Sequence, residues 1–524
     1  MVAPKEKLAA SLSVLQKLQR NGRHIFQSKE LTRVHRERLL KHGFLREVIK
    51  GWLSSSDPGA EAGDSTSWYA SFWEFCARYC NERFGDKWYL SPEQSLLLQA
   101  ESTVVPTQVI VCSPKGTNNT VNLLFGTSLY DLKQQEMPAD RDLVVRRELR
   151  LFTSAAALIR VPEAFFTRNP VDAQVILATF RDGSDILGRL LDGGHSVVAG
   201  RLAGAFRRIG QGDLAKDILS TMKAAGYDVR ETDPFTPQQT FGTVKVSVFP
   251  IIGRLQTLWK SMRGVVVETL PPAQGLPNDR EAYLAFIDEI YKSDAYHSLS
   301  IEGYRVTPEL IESVRSGDWN PDQNDSDRQR RDALAARGYW QAFQLVRKTV
   351  SEIITGANPS TLVRSAHRDW YRELFQPSVA VGLIPPSFLA GFRTDQVFLR
   401  SSRHVPPRWE VVSDAMSVLF DLLEHETDPA VRAVLGHWLF GYIHPYQDGN
   451  GRIARFLMNA MLASGGYPWT VIRVEDRTKY MSSLEAASVQ SDIRPFAFFV
   501  AKQVQLSMDQ GRRSNRVPST QAEG

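Results

Sequence analysis

Cysteine is scarce in this 524-residue chain, which contains only Cys76, Cys80 and Cys112. Three thiols cannot form the paired framework of a small disulfide-stabilised secreted domain. Cys76 and Cys80 would share one face of a helix, but no neighbouring Cys/His pair completes a tetrahedral zinc site. We therefore predict that all three are buried thiols.

Long apolar runs and a charge excess of one sign are also missing. No run of about 18 apolar residues occurs, and residues 1–20 lack the apolar block of a signal peptide. We therefore predict a cytoplasmic protein without membrane contact. With 63 basic and 58 acidic residues the net charge is only +5, so only local patches could attract nucleic acid.

The length and the ordinary globular composition predict several domains of mainly α structure. Composition shifts along the chain suggest five consecutive segments. They are a winged helix-turn-helix module (1–58), a mixed α/β region (59–235), a connector (236–278), an all-helical domain (279–510) and a disordered tail (511–524).

Residues 443–455 combine a base, an acid, two glycines and two arginines. Apolar residues recur at helical spacing on both sides of this segment, which indicates a break between two buried helices. They are Val434, Leu435, Trp438, Leu439 and Tyr442 before it, and Leu457, Met458, Met461 and Leu462 after it.

Such a break exposes the first N–H groups of the second helix, which attract anions. Gly449 and Gly451 would let a phosphate approach the backbone, because neither has a Cβ. Arg452 and Arg455 are three residues apart, so both would lie on one face of the first turn and hold successive phosphates.

Two further side chains supply the remaining chemistry. Asp448 directly precedes the predicted anion site. Because proteins bind Mg²⁺ through one or two carboxylates together with phosphate oxygens, Asp448 is a candidate Mg²⁺ ligand. A histidine outside a folded protein has a pKa close to neutrality, so the sequence makes His444 a candidate to take a proton from a hydroxyl that attacks phosphorus.

Residues 444–455 resemble the Fic motif, which reads His-Pro-Phe-x-Asp/Glu-Gly-Asn-Gly-Arg-x-x-Arg. Only Tyr446 departs from it, and the added hydroxyl needs a partner. The resemblance implies an all-helical domain that transfers AMP from ATP to a Ser, Thr or Tyr hydroxyl of a protein, with Mg²⁺ as cofactor. It also implies roles, with His444 as base, Asp448 as metal ligand, and Gly449, Asn450, Gly451, Arg452 and Arg455 as ATP and phosphate contacts.

Three other segments resemble parts of the same family. Ser298 to Gly303 is similar to an inhibitory motif, which implies that Glu302, with Ser298, silences the site. Residues 391–400 resemble a flap that holds the target by strand-like pairing. Residues 477–484 resemble the segment near the adenine, where Tyr480 is either a ligand contact or a core aromatic residue.

Several alternatives stay open at this stage. Family relatives transfer other phosphate-containing groups, although Gly451 leaves room for outer phosphates and favours AMP transfer. The chain could also remove AMP, or be a DNA-binding or antitoxin-like regulator whose Fic domain senses nucleotide. The sequence identifies neither the target protein nor the oligomeric state, so a homodimer is one possibility.

The amino-terminal residues predict helices at 12–18, 28–31 and 32–41 and a wing at 43–52, similar to the winged helix of abortive-infection antitoxins. A surface for protein contacts is the alternative. In the middle region we predict strands at 104–111, 120–124 and 144–151, and helices at 173–177, 199–209 and 214–225. The glycines at 200, 204, 210 and 212 favour helix packing over a nucleotide loop, because no Lys-Ser/Thr follows them.

Residues 28–50 contain seven Lys or Arg and only three acidic residues, which predicts that this segment binds DNA. The full chain should shift duplex DNA in a gel assay, with an affinity that falls steeply as salt rises and counterions compete for phosphate. Failure to shift any genomic DNA pool at low salt would contradict the prediction.

Overall fold

The computed structural model describes residues 4–60, 63–236, 249–317 and 327–514. It forms two compact units, one of Met1–Thr257 with Phe398–Val405 and one of Leu258–Val397 with Pro406–Gly524. Helices make up 62% of the structure, which confirms the predicted mainly α class. No helix in the described part is long and apolar enough to cross a membrane.

The helices before residue 230 are α1 (Pro4–Leu18), α2 (Arg33–Lys41), α3 (Thr66–Phe84), α4 (Pro92–Gln99), α5 (Ser154–Arg160), α6 (Ala164–Arg168), α7 (Pro170–Ala178), α8 (Ser184–Gly193), α9 (Ser196–Arg208) and α10 (Gly212–Ala224). The strands are β1 (Ile25–Gln27), β2 (Leu45–Ile49), β3 (Trp52–Ser55), β4 (Tyr89–Leu90), β5 (Gln108–Ser113), β6 (Asn119–Asn122), β7 (Ser128–Lys133), β8 (Leu143–Arg146) and β9 (Leu149–Phe152).

The amino-terminal residues form an antiparallel sheet of order β1-β3-β2 against α1 and α2. The predicted wing is the hairpin of β2 and β3, but the predicted helix at 28–31 is only a 3₁₀ turn, Ser28–Glu30. It stops there because Thr32 caps α2 by accepting the N–H of His35. DNA binding stays a prediction, and Lys29 and Arg33 already pair with Glu82 and Glu37.

The mixed region contains a sheet of order β4-β5-β7-β6, in which β5 and β7 are parallel. The strands predicted near 104–111 and 120–124 correspond to β5 and β6, and the three predicted helices to α7, α9 and α10. The prediction of a single strand at 144–151 is wrong. These residues lie in the hairpin of β8 and β9, because Arg147 and Glu148 both have positive φ and turn the chain. All three cysteines are buried free thiols, as predicted.

The helices from residue 250 onward are α11 (Pro250–Thr269), α12 (Arg280–Ile301), α13 (Pro308–Ser316), α14 (Asp327–Ile353), α15 (Pro359–Ala380), α16 (Val412–His425), α17 (Pro429–Ile443), α18 (Asn450–Ala463), α19 (Arg477–Gln490) and α20 (Arg494–Ser514).

At the centre of the second unit, α18 packs on α14, α15 and α17, and every residue from 452 to 463 is buried. A helix that is buried all round needs close neighbours. Gly436 of α17 provides the closest approach, because a Cβ there would lie 2.9 Å from Leu457 of α18 and 3.0 Å from Leu423 of α16. The two buried helices predicted around residues 443–455 are thus confirmed.

Some boundaries and one element differ from the predictions. The predicted connector contains α11, while residues 237–248 lie outside the described residues. Helix α14 begins at Asp327, and residues 318–326 are not described. Residues 511–514 of the predicted disordered tail form the end of α20, and residues 515–524 are not described. Residues 391–400 contain no strand, because Gly391 has φ 134 and Arg393 binds backbone carbonyls.

The glycines of α9 serve helix packing, as predicted. A Cβ at Gly200 would lie 1.9 Å from the carbonyl oxygen of Arg230, and one at Gly204 would lie 2.0 Å from that of Thr232. Since these obstacles are backbone atoms, they cannot rotate away as side chains can. Residues 230–232 can therefore lie against α9 only because both positions lack a side chain.

Gly200→Ala should therefore destabilise the first unit by about 1–3 kcal/mol, the usual cost of overpacking. Gly188→Ala is the matched control, because Gly188 lies within α8 with nothing within 4 Å of an added Cβ. There the gain in helix propensity should stabilise by roughly 0.5–1 kcal/mol. Urea unfolding measures both effects, and equal shifts would contradict the packing role.

Candidate active site

The loop between α17 and α18 is built on two left-handed residues. His444 ends α17 with φ 52, and Gly449 precedes α18 with φ 76. Positive φ is uncommon for a histidine and unstrained for a glycine. The loop therefore turns sharply at both ends, which brings His444 and the first N–H groups of α18 to the same end of the helix pair.

Asn450 and Arg393 hold this loop. The Asn450 amide bridges the backbone of Tyr446, accepting its N–H at 2.9 Å and donating to its carbonyl at 2.8 Å. Arg393 donates from Nε to the carbonyl of His444 at 2.9 Å. The side chain of Asn450, predicted as a phosphate contact, is therefore used within the loop, and its backbone N–H remains part of the helix start.

His444 is a buried imidazole that is neutral at pH 7. Its Nδ1 lies 3.3 Å from the carbonyl oxygen of Gly441. Because a carbonyl only accepts, Nδ1 carries the proton, and the lone pair is on Nε2. Burial lowers the pKa of His444 to about 4, so the imidazole is neutral at pH 7 and able to accept a proton.

Arg455 is bound to the end of α12. Its Nε donates to Ser298 Oγ at 2.9 Å and its Nη2 to the Ser298 carbonyl at 3.0 Å. The same Nη2 donates to Glu302 Oε1 at 2.7 Å, and Glu302 is the residue at which α12 ends. The structure thus brings Arg455 into contact with Ser298 and Glu302, which lie 157 and 153 positions before it in the sequence.

Arg452 is 1% exposed and lies between two rings. Its guanidinium carbon is 4.9 Å from the centre of the Phe375 ring and 5.3 Å from that of Tyr304. Nη2 is 3.5 Å from Asp448 Oδ2, and neither Nε nor Nη2 has a hydrogen-bond partner in the described part of the chain. Buried donors of this kind are suited to an anionic ligand.

Glu302 also lies against Gly451. A Cβ on Gly451 would be 2.2 Å from Glu302 Oε1, so the missing side chain is what lets the carboxylate reach the helix start. Gly451 was predicted to admit a phosphate in the same way. The carboxylate therefore occupies part of the space in which an anion meets the first turn of α18.

Asp448 is the only carboxylate of the predicted motif, and its side chain is 55% exposed. The described residues contain no cluster of three or more His, Cys, Asp or Glu that could hold a metal alone. A single carboxylate is nevertheless what Mg²⁺ uses when it shares its ligands with phosphates and water.

Tyr480 is 1% exposed, and its hydroxyl lies 2.8 Å from Nε2 of the buried His437. Contact of Tyr480 with adenine stays a prediction. Tyr446 is also buried, stacked at 3.9 Å on Tyr371. The partner expected for the Tyr446 hydroxyl is not found among the described residues.

Sequence reasoning missed three residues of this site. Arg393 was part of the predicted flap, Tyr304 follows the inhibitory motif, and Phe375 lies in α15, for which no prediction was made. Aromatic residues at such positions usually form core, so only the fold assigns the two rings to Arg452. Arg393 had no signal in the sequence, because its burial and its carbonyl acceptors follow from the fold.

Comparison with known proteins places these residues in a family context. Residues 359–462 match the model of the Fic/DOC family. The protein adenylyltransferase Fic of Nematostella vectensis is 31% identical over 243 residues, 45% of this chain and 51% of that protein. The protein adenylyltransferase fic-1 of Caenorhabditis elegans is 35% identical over 132 residues, 24% of this chain and 25% of that protein. The chain thus spans about half or less of the length of these curated relatives.

A solved structure is similar as well. Residues 134–508 of Fic-1 from C. elegans align with a TM-score of 0.38 and 20% sequence identity. The alignment covers 69% of this chain and 92% of that one.

The buried histidines near the loop predict how stability depends on pH. Burial lowers the pKa of His367 to about 4, whereas an unfolded histidine has a pKa of about 6.5. Between these values only the unfolded state binds the proton, so stability is lost as pH falls from about 6.5 to about 4. His367→Phe, which fits the surrounding rings of Phe392 and Phe420, should reduce this loss.

The measurement is the urea midpoint at about pH 7 and about pH 4.5. His425→Phe, at an exposed histidine, is the control and should keep the wild-type difference between the two pH values. A His367→Phe protein that loses as much as wild type would contradict the assignment.

Proposed function

We propose that the chain transfers AMP from ATP to a hydroxyl of a protein, because residues 359–462 match the Fic/DOC family and the chain is similar to protein adenylyltransferases Fic. The hydroxyl belongs to a Ser, Thr or Tyr of a target or of the chain itself. The proposal rests on the bond between the Glu302 carboxylate and Arg455. This carboxylate also lies against Gly451, at the start of α18, where Arg452 and Arg455 come together.

The residues at this place fit a polyphosphate. Nε and Nη2 of Arg452 are buried without a hydrogen-bond partner among the described residues, and Gly451 leaves room that a Cβ would fill. Glu302 is itself an anion held at the same point, so the site accepts negative charge. We propose that Arg452 and Arg455 bind the outer phosphates of ATP and that Asp448 binds Mg²⁺, which would neutralise phosphate charge.

In the proposed reaction the target hydroxyl attacks the α-phosphorus of ATP. His444 takes the hydroxyl proton at Nε2, a bond forms between the hydroxyl oxygen and phosphorus, and the bond to pyrophosphate breaks. The first N–H groups of α18 and the two arginines stabilise the charge that moves to the leaving group. His444 supplies a neutral base at pH 7, while orientation supplies much of the remaining rate.

We further propose that the site is autoinhibited. Glu302 and Ser298 together engage Arg455, and Tyr304 covers Arg452, so one short segment after α12 contacts both arginines. A guanidinium that holds a carboxylate at 2.7 Å cannot hold a phosphate oxygen with the same N–H. ATP would then bind with its α-phosphorus misplaced, and a shift of about 1 Å costs roughly 100-fold in rate.

Removing the carboxylate should therefore activate the protein. Glu302→Ala is expected to raise AMP transfer by about 100-fold or more, measured with labelled ATP on the chain itself and on lysate proteins. Glu289→Ala is the matched control, because Glu289 is an exposed acid of the same helix. The double variant Glu302→Ala with His444→Ala should be inactive.

Equal activity of Glu302→Ala and wild type, with Mg²⁺ and ATP saturating, would contradict the autoinhibition. Absence of any labelling in Glu302→Ala would contradict AMP transfer and favour a regulator that senses nucleotide. Intact mass of a labelled product distinguishes AMP from other phosphate-containing groups. Loss of AMP from a previously modified protein would indicate the reverse reaction.

A further inference from the structure

The Arg393 side chain joins three stretches of backbone inside the second unit. It is 2% exposed, and within the described part of the chain its guanidinium donates to carbonyl oxygens. The acceptors are His444 at 2.9 Å from Nε, Asp395 at 2.9 Å from Nη1, and Pro407 from Nη2, with the Ile443 carbonyl 3.5 Å from Nη2. The backbone N–H of Arg393 adds a bond of 2.9 Å to the carbonyl of Pro445.

Three of these acceptors, Ile443, His444 and Pro445, are consecutive residues where α17 ends. The last carbonyls of a helix have no partner within the helix, and the negative end of its dipole attracts a cation. Burial lowers the pKa of Arg393 to about 10, so the guanidinium is still charged at pH 7. It therefore supplies both the donors and the positive charge that this helix end lacks.

The same bonds fix the backbone of the catalytic histidine. His444 has φ 52, a conformation that a non-glycine residue keeps only when its surroundings impose it. The side-chain bond from Arg393 to its carbonyl orients the peptide that follows His444, and the bond to Pro445 orients the next one. The direction of the imidazole depends on this peptide geometry.

We propose that Arg393 is a positioning residue that holds His444 in its left-handed conformation and thereby aims the imidazole at the hydroxyl to be activated. This inference rests on the proposed function, in which His444 is the general base. The planar fork of arginine is required, since several carbonyls are bonded in different directions at once. Lysine has one compact ammonium group on a flexible stem and cannot reproduce this arrangement.

The test compares Arg393→Lys with Arg347→Lys, both in the Glu302→Ala protein. Arg347 also makes two close bonds, at 2.6 and 2.7 Å, but to Asp288 of α12 and not to the catalytic loop. Arg393→Lys should lower kcat by about 100-fold, as expected for a misplacement of about 1 Å, while the KM for ATP and the urea midpoint stay near those of the parent. Arg347→Lys should keep its kcat.

Two results in this assay would overturn the proposal. One is a kcat for Arg393→Lys equal to that of the parent. The other is a parallel loss of kcat, ATP affinity and urea midpoint, which would make Arg393 a residue of general stability. A variant that does not fold counts as the second result.

A second readout does not require activity. This readout is ¹⁵N-histidine NMR of variants that retain Glu302. The ring signals of His444 are assigned as the signals that are absent from the spectrum of His444→Ala. Arg393→Lys should move these signals, and Arg347→Lys should not. Unmoved His444 signals in Arg393→Lys would overturn the proposal. If Glu302→Ala transfers no AMP, the proposed function fails, and the NMR result still decides whether Arg393 positions His444.

Discussion

Two guanidinium groups are buried near the amino end of α18, and the site that we propose depends on how their charge is compensated. Arg452 and Arg455 are 1% and 4% exposed, and burying a charge is costly unless it is paired. The cost is greater at this position, because the positive end of the helix dipole lies at the same place. Phe375 and Tyr304 contribute ring contacts to Arg452, but only an anion compensates the charge. The fold therefore requires a negative group at this point.

Glu302 meets that requirement from within the chain. Its carboxylate binds Arg455 and lies in the space that Gly451 leaves free. In the function we propose, an incoming phosphate and Glu302 compete for the same donors. This exchange would concern one side chain directly after α12 and would leave the buried body of α18 in place, so that the proposed site is silenced by its own acid and activated when that acid is displaced.

The loop chemistry was predictable from sequence to the extent that it depends on local pattern. Helical spacing on both sides of residues 443–455 located the break, and the spacing of Arg452 and Arg455 indicated that both lie near the start of one helix, although Arg455 belongs to the second turn of α18. The approach of Glu302 to the site is not local and was expected only from a family resemblance. Arg393 and Tyr304 could not be found from pattern, because their partners are backbone carbonyls and a guanidinium brought near by folding. Tyr480 was ambiguous because a buried aromatic residue and a ligand contact have the same sequence signal.

If Arg455 holds either Glu302 or an outer phosphate, Glu302 should weaken the binding only of nucleotides that carry outer phosphates. Calorimetry in the presence of Mg²⁺ measures the dissociation constants of ATP and AMP for wild type and Glu302→Ala. We expect ATP to bind at least about 10-fold more tightly to Glu302→Ala than to wild type, equivalent to about 1.4 kcal/mol, and AMP to bind both proteins equally. An unchanged ATP affinity, or an equal gain for ATP and AMP, would contradict this expectation.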